Sequence, residues 1–126
     1  MNVLLIDDDT DIHLIIKATL EAEGYRVKCV RDEREILLAL QQFNPELVLV
    51  DYMLEENTGP DLIVKMRDEF GKFTNTPIIL LSGKSRDIDE NYLISMKIAG
   101  KIEKPFDPLK LSDLIKTILD KSERNV

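Results

Sequence analysis

The residues best suited to chemistry stand at the ends of short apolar runs. Val3-Leu4-Leu5-Ile6 leads into Asp7-Asp8, Leu47-Val48-Leu49-Val50 into Asp51, and Ile78-Ile79-Leu80-Leu81 into Ser82-Gly83. Lys104 closes a more polar run, Lys101-Ile102-Glu103. Carboxylates gathered without counter-charge repel one another and take up protons. A hard divalent cation relieves that repulsion, and Mg²⁺ suits a few carboxylates, a carbonyl, waters and a phosphate oxygen. The compact ammonium of Lys104 can pair with Asp51 before a reaction and with a phosphoryl oxygen after it. Ser82 can donate to another oxygen. The set fits phosphoryl transfer to the carboxylate of Asp51, which depends mainly on positioning and charge neutralisation.

Each residue alone has a plainer reading. Asp7-Asp8-Asp9-Thr10-Asp11 could be a solvated acidic turn, Ser82 a cap and Lys104 a surface lysine. An EF-hand loop is excluded, because Ile12 and Ala18 stand where it needs glycine and glutamate. His13 reads as a surface residue of the first helix. Cys29 reads as a small packing residue, and Tyr25, Tyr52 and Tyr92 as packing or surface residues.

The elements that must position the site alternate between strand and helix, which implies βαβ units and a parallel sheet. Thr10 to Glu23 is a helix with Ile12, Ile15, Ile16, Thr19 and Leu20 on one face, stopped at Gly24. Tyr25 to Val30 alternates as a half-exposed strand. Asp32 and Glu35, at capping-box spacing, open a helix that buries Ile36, Leu37 and Leu40 and breaks at Asn44-Pro45. Gly59-Pro60-Asp61 opens a third helix carrying Leu62, Ile63 and Met66. A less regular helix covers about Arg86 to Ile98. Asp107-Pro108 caps a last helix with Leu111, Leu114, Ile115, Ile118 and Leu119 on one face. The first, third and fourth strands are apolar on both faces and belong in the middle; the second and fifth are mixed and belong at the edges. The expected fold is α/β, a flavodoxin-like doubly wound sheet of order 2-1-3-4-5 with helices on both faces. Its ligands bind beyond the carboxyl ends of the strands, where all the named groups stand.

Composition narrows the class. The chain has 126 residues, enough for one domain, read as 1–121 with a polar tail at 122–126. A net charge of −7 provides no basic footprint for nucleic acid. No apolar run approaches the roughly 20 residues that span a bilayer. The N-terminus lacks the basic region of a signal peptide. The single cysteine permits no internal disulfide, so a cytoplasmic location is expected.

Taken in order, Leu5-Ile6-Asp7-Asp8, Val50-Asp51, Gly59 eight residues later, Leu81-Ser82-Gly83 and Lys104-Pro105-Phe106 closely resemble the receiver domain of two-component response regulators. The resemblance covers nearly the whole chain. It implies that Asp51 is phosphorylated by a histidine kinase or phosphotransfer protein. It implies that Asp7, Asp8, Asp51 and the backbone carbonyl of Met53 bind Mg²⁺. It implies too that Ser82 follows the phosphoryl group inward and that the Lys104-Pro105 bond is cis. The downstream partner is not indicated. Homodimerisation through the last helices is common in the family, but the irregular fourth helix marks no seam.

The chain departs from the family pattern at defined places. Glu55 stands where a proline usually follows the phosphoacceptor, and Lys101 where the fifth strand carries an aromatic switch residue. Glu103 before Lys104 is also unusual. Lys101 suggests an output face that signals by charge. Met53, two residues after Asp51, cannot orient an attacking water, which predicts slow dephosphorylation. The last helix is followed by no output domain and there is no helix-turn-helix, which argues against direct transcription control by this chain. The alternatives are a receiver cut from a larger regulator or hybrid kinase, a degenerate receiver acting as an interaction module, and a small phosphatase with Asp51 as nucleophile. The acidic run faintly resembles the motif of haloacid-dehalogenase-type phosphatases, but that motif wants threonine or valine at the place of Asp11.

Overall fold

The computed structural model describes residues 1–83 and 88–124. The elements are β1 (Asn2–Ile6), α1 (Thr10–Ala22), β2 (Arg26–Val30), α2 (Glu33–Ala39), β3 (Leu47–Asp51), α3 (Gly59–Phe70), β4 (Ile78–Gly83), α4 (Glu90–Ser95), β5 (Gly100–Lys104), a 3₁₀ turn (Pro108–Lys110) and α5 (Leu111–Arg124). They build one parallel sheet of order β2-β1-β3-β4-β5, as the strand patterning predicts. The apolar runs of β1, β3 and β4 are buried throughout, and the mixed strands β2 and β5 form the edges.

Alternate strand residues feed two core layers. Leu4, Ile6, Val48, Val50, Ile78 and Leu80 pack with Ile36 of α2, Ile63 and Met66 of α3 and Leu93 of α4. Val3, Leu5, Leu47, Leu49, Ile79 and Leu81 pack with Ile16 and Leu20 of α1 and Leu111 and Ile115 of α5. Helices therefore cover both faces. Register fixes the site end of the sheet: Ile6 lies beside Val50, Asp51 beside Leu81, and Gly83 beside Lys104. The fifth strand comes close to α5 because residue 100 is glycine; a Cβ there would lie 2.6 Å from a methyl of Ile118.

Several elements differ from the pattern-based reading. Ile15 of α1 is 43% exposed and Leu114 of α5 is 39% exposed, so both apolar stripes are wider than the surface the sheet covers. The helix α2 stops at Ala39, before Asn44-Pro45; Ala39 is buried, while Leu37 and Leu40 are only partly so. The fourth helix is shorter than expected. Asp89 caps it by accepting from Tyr92 N, and Lys97, with φ of 54°, turns the chain away beyond its end. Of the expected span, Arg86 and Asp87 lie outside the described residues. Asp107-Pro108 opens the 3₁₀ turn, and α5 follows only at Leu111. That helix continues to Arg124, so the first residues of the expected tail are helical. Among the described residues no helix is long and apolar enough to cross a membrane.

Candidate functional site

The turn from β1 to α1 holds Asp7 rigidly. Its carboxylate is nearly sealed off, the residue being 1% exposed. Its backbone N–H donates to Val30 O at 3.1 Å, joining the turn to the edge strand. Oδ1 accepts Asp9 N–H at 2.9 Å and Oδ2 accepts the Lys104 ammonium at 3.2 Å. The Asp7 carbonyl accepts from His13 Nε2 at 2.6 Å. Asp9 in turn caps α1, taking the N–H groups of Asp11 at 2.8 Å and Ile12 at 3.4 Å. A short acceptor in extended conformation before the first helical turn is what N-capping requires.

Asp51 ends β3, one strand away. Lys104 Nζ lies 3.2 Å from Asp51 Oδ1 and 3.2 Å from Asp7 Oδ2, so one ammonium bridges two acids. Lys104 reaches them from the end of β5, followed by a cis bond to Pro105, as the family resemblance implies. Burial pushes the Asp51 carboxyl above the usual range, and the negative charge of Asp7 pushes it further. Lys104 and the backbone N–H of Met53 oppose that rise. The loop after Asp51 is closed by Gly59 N–H to Tyr52 O at 2.7 Å and Leu54 N–H to Asn57 O at 3.1 Å, which flank Met53 paired with Thr58 and leave the Met53 carbonyl out of both bonds.

Ser82 is 1% exposed, and among the described residues its Oγ has no hydrogen-bond partner. A buried hydroxyl left unpaired costs about 1–3 kcal/mol, so the position is expensive unless something binds there. It lies on β4 one residue beyond Leu81, the neighbour of Asp51.

The structure thus brings Asp7, Asp51 and Lys104 together and sets Ser82 close by. Asp8 lines a cleft of about 260 Å³ with Arg31, Glu35, Leu54, Glu55 and Asn57. Among the described residues no three His, Cys, Asp or Glu side chains form a ready ligand group. The Met53 side chain is 54% exposed. Lys101 is half-buried, and its ammonium donates to Ile88 O at 2.6 Å, so it is not a free surface charge.

His13 and Asp9 were not legible as site residues from their types alone. His13 does share the helical row of Ile16 and Leu20, the buried residues of α1. That spacing points its ring inward over the strand end.

The family model for the response regulator receiver domain matches residues 3–116. The chain belongs to this family. The receiver is 28% identical over 121 residues to the alkaline phosphatase synthesis transcriptional regulatory protein PhoP of Bacillus subtilis, covering 96% of this chain and 49% of that one. It is 31% identical to an uncharacterised 14.6 kDa protein of Leptolyngbya boryana, covering 91% of this chain and 87% of the other. Two solved structures are similar over most of both chains. The chemotaxis response regulator CheY4 of Vibrio cholerae has a TM-score of 0.79 at 25% identity and covers 93% of this receiver and 97% of its own chain. The N-terminal domain of the nisin resistance regulator NsrR has a TM-score of 0.78 at 28% identity, with 94% and 97% covered. The receiver spans about half the length of PhoP and of the CpxR-type transcriptional regulators it matches, at 49%, 51% and 50%. It is thus a response regulator receiver domain of two-component signalling, a signalling module by family.

Proposed function

We propose that this receiver accepts a phosphoryl group on Asp51 from a phosphohistidine donor, with Mg²⁺ bound beside it. One observation carries the reading: a single ammonium, Lys104, bridges Asp51 and Asp7 at 3.2 Å each. An ammonium held beside a carboxylate can pass from it to a phosphoryl oxygen as charge arrives. The orphaned hydroxyl of Ser82 supports the same reading, since a phosphoryl oxygen would satisfy it.

The donor set fits Mg²⁺. The oxygens of Asp51, Asp8 and the Met53 carbonyl would hold it, with Asp7 contributing through its fixed carboxylate. Mg²⁺ keeps several waters and binds through one or two carboxylates plus phosphate oxygens, so a closed cage of acids is not needed. When bound, the ion supplies charge neutralisation for the transferred group. Asp51 is the attacking oxygen, Lys104 holds the arriving charge, and Ser82 donates to it.

The donor is a histidine kinase or phosphotransfer protein, and the phosphorylated form acts by shifting an existing conformational equilibrium that a partner reads. The test is incubation with Mg²⁺ and a small acyl phosphate, followed by intact mass. One added phosphoryl group, absent in Asp51→Asn and absent without Mg²⁺, is the expected result. Steady turnover of a phosphate ester would instead favour a phosphatase, and no mass gain would overturn the proposal.

A further inference from the structure

We infer that His13 is a positioning residue: its Nε2–H holds the peptide group between Asp7 and Asp8 and so sets where the Asp8 carboxylate stands relative to Asp51. The inference rests on the proposed Mg²⁺-assisted phosphorylation of Asp51.

The contact between His13 Nε2 and the Asp7 carbonyl oxygen is short, 2.6 Å. A carbonyl oxygen only accepts, so Nε2 carries the proton. The acceptor belongs to the peptide unit that joins Asp7 to Asp8. It precedes the ladder of α1, which begins with His13 N–H to Asp9 O at 3.1 Å. The Asp7 side chain and N–H are fixed by Asp9, Lys104 and Val30; the Asp9 N–H bond to Oδ1 closes a ring through the next peptide but makes no contact with its carbonyl oxygen. His13 holds that oxygen directly. One residue on, Asp8 lines the cleft with Glu35 and Glu55. Rotation of its peptide would shift its carboxylate along that cleft. Groups that orient metal ligands from behind are worth a tenfold or larger change in affinity when removed.

The experiment compares the parent with His13→Leu, His13→Gln and His13→Asn by calorimetric Mg²⁺ titration at one fixed pH. Thermal melting and the phosphorylation rate at saturating Mg²⁺ accompany it. The amide nitrogen of glutamine can reach the place of Nε2, whereas that of asparagine reaches only the place of Nδ1. His13→Leu and His13→Asn are expected to weaken Mg²⁺ binding about tenfold. His13→Gln is expected to restore it to within about threefold of the parent, by replacing the one hydrogen bond. The rate at saturating Mg²⁺ should change little. Should the leucine variant melt too low to titrate, the glutamine and asparagine pair carries the comparison. Equal Mg²⁺ affinity in parent and asparagine variant would overturn the role of His13 and leave the proposed function standing. So would glutamine and asparagine being equally weak. A parent that binds no Mg²⁺ would overturn both.

Discussion

The two turns that form the site are built differently. The β1–α1 turn is tied at every polar atom of Asp7, by Val30, Asp9, Lys104 and His13. The β3–α3 loop is held by the pair of bonds around Met53 and Thr58, and Glu55, Glu56 and Asn57 project into solvent. The first turn is a fixed support whose geometry precedes any ligand. The second has one rigid point, Gly59, which packs directly on the backbone of Asp51, and is otherwise open. Under the proposed function this division lets one wall stay in place while the other admits the donor.

The largest break in that contrast should come from Gly59→Ala. A Cβ there would clash with the Asp51 carbonyl oxygen, whereas a Cβ on Gly83 would meet nothing within 4 Å among the described residues. We expect a loss of about 3 kcal/mol, near a 10 °C drop in melting temperature, for Gly59→Ala. Gly83→Ala should cost far less in the same melt; equal losses would show that the loop has no rigid point.

Asp51→Asn probes the charge that joins the two turns, and its expected effect is smaller. Burial and Asp7 raise the Asp51 carboxyl above its unfolded value. The folded chain therefore binds this proton more tightly, and the ionised group weakens folding as pH rises through the window between the two values. Without Mg²⁺, Asp51→Asn should melt about 3 °C above the parent at neutral pH. That advantage should vanish below the ordinary carboxylate range and shrink when Mg²⁺ is added. Melting curves against pH, with and without chelator, check the sign.

The smallest effect sharpens the contrast at the open wall. The exposed Met53 side chain can be replaced without disturbing the core. Met53→Asn should speed loss of the phosphoryl group by a few-fold, about 1 kcal/mol in barrier, by orienting a water. Decay of the phosphorylated mass over time measures it; an unchanged half-life would mean that position 53 does not control water access.

The sheet order was legible because burial on both faces leaves a distinct mark: Leu47 to Val50 has no polar residue, while Arg26 to Val30 alternates. The strand-end positions of Asp7, Asp51 and Ser82 were legible for the same reason, since each ends an apolar run. Ile15 and Leu114 share the apolar faces of their helices yet are exposed, because apolar spacing reports which face is apolar, not how much of it the sheet covers. Lys101 was read as a surface charge because its acceptor, the Ile88 carbonyl, is a backbone atom with no sequence signature. His13 escaped for the same reason.

Arg67 has a mechanical consequence for the far side of the sheet. Its guanidinium donates to Phe73 O at 3.3 Å, Met96 O at 2.6 Å and Lys97 O at 2.9 Å, clasping the end of α3 to the residues just past α4. Sliding α4 sideways as a unit would break the bonds to Met96 and Lys97 together, each worth about 1.5–3 kcal/mol to a charged donor. Swinging its other end about this clasp breaks neither. The short helix is thus pinned beyond its end by the guanidinium, while its start is held by Lys101 at Ile88 O and by the pairing of Glu90 with Lys121.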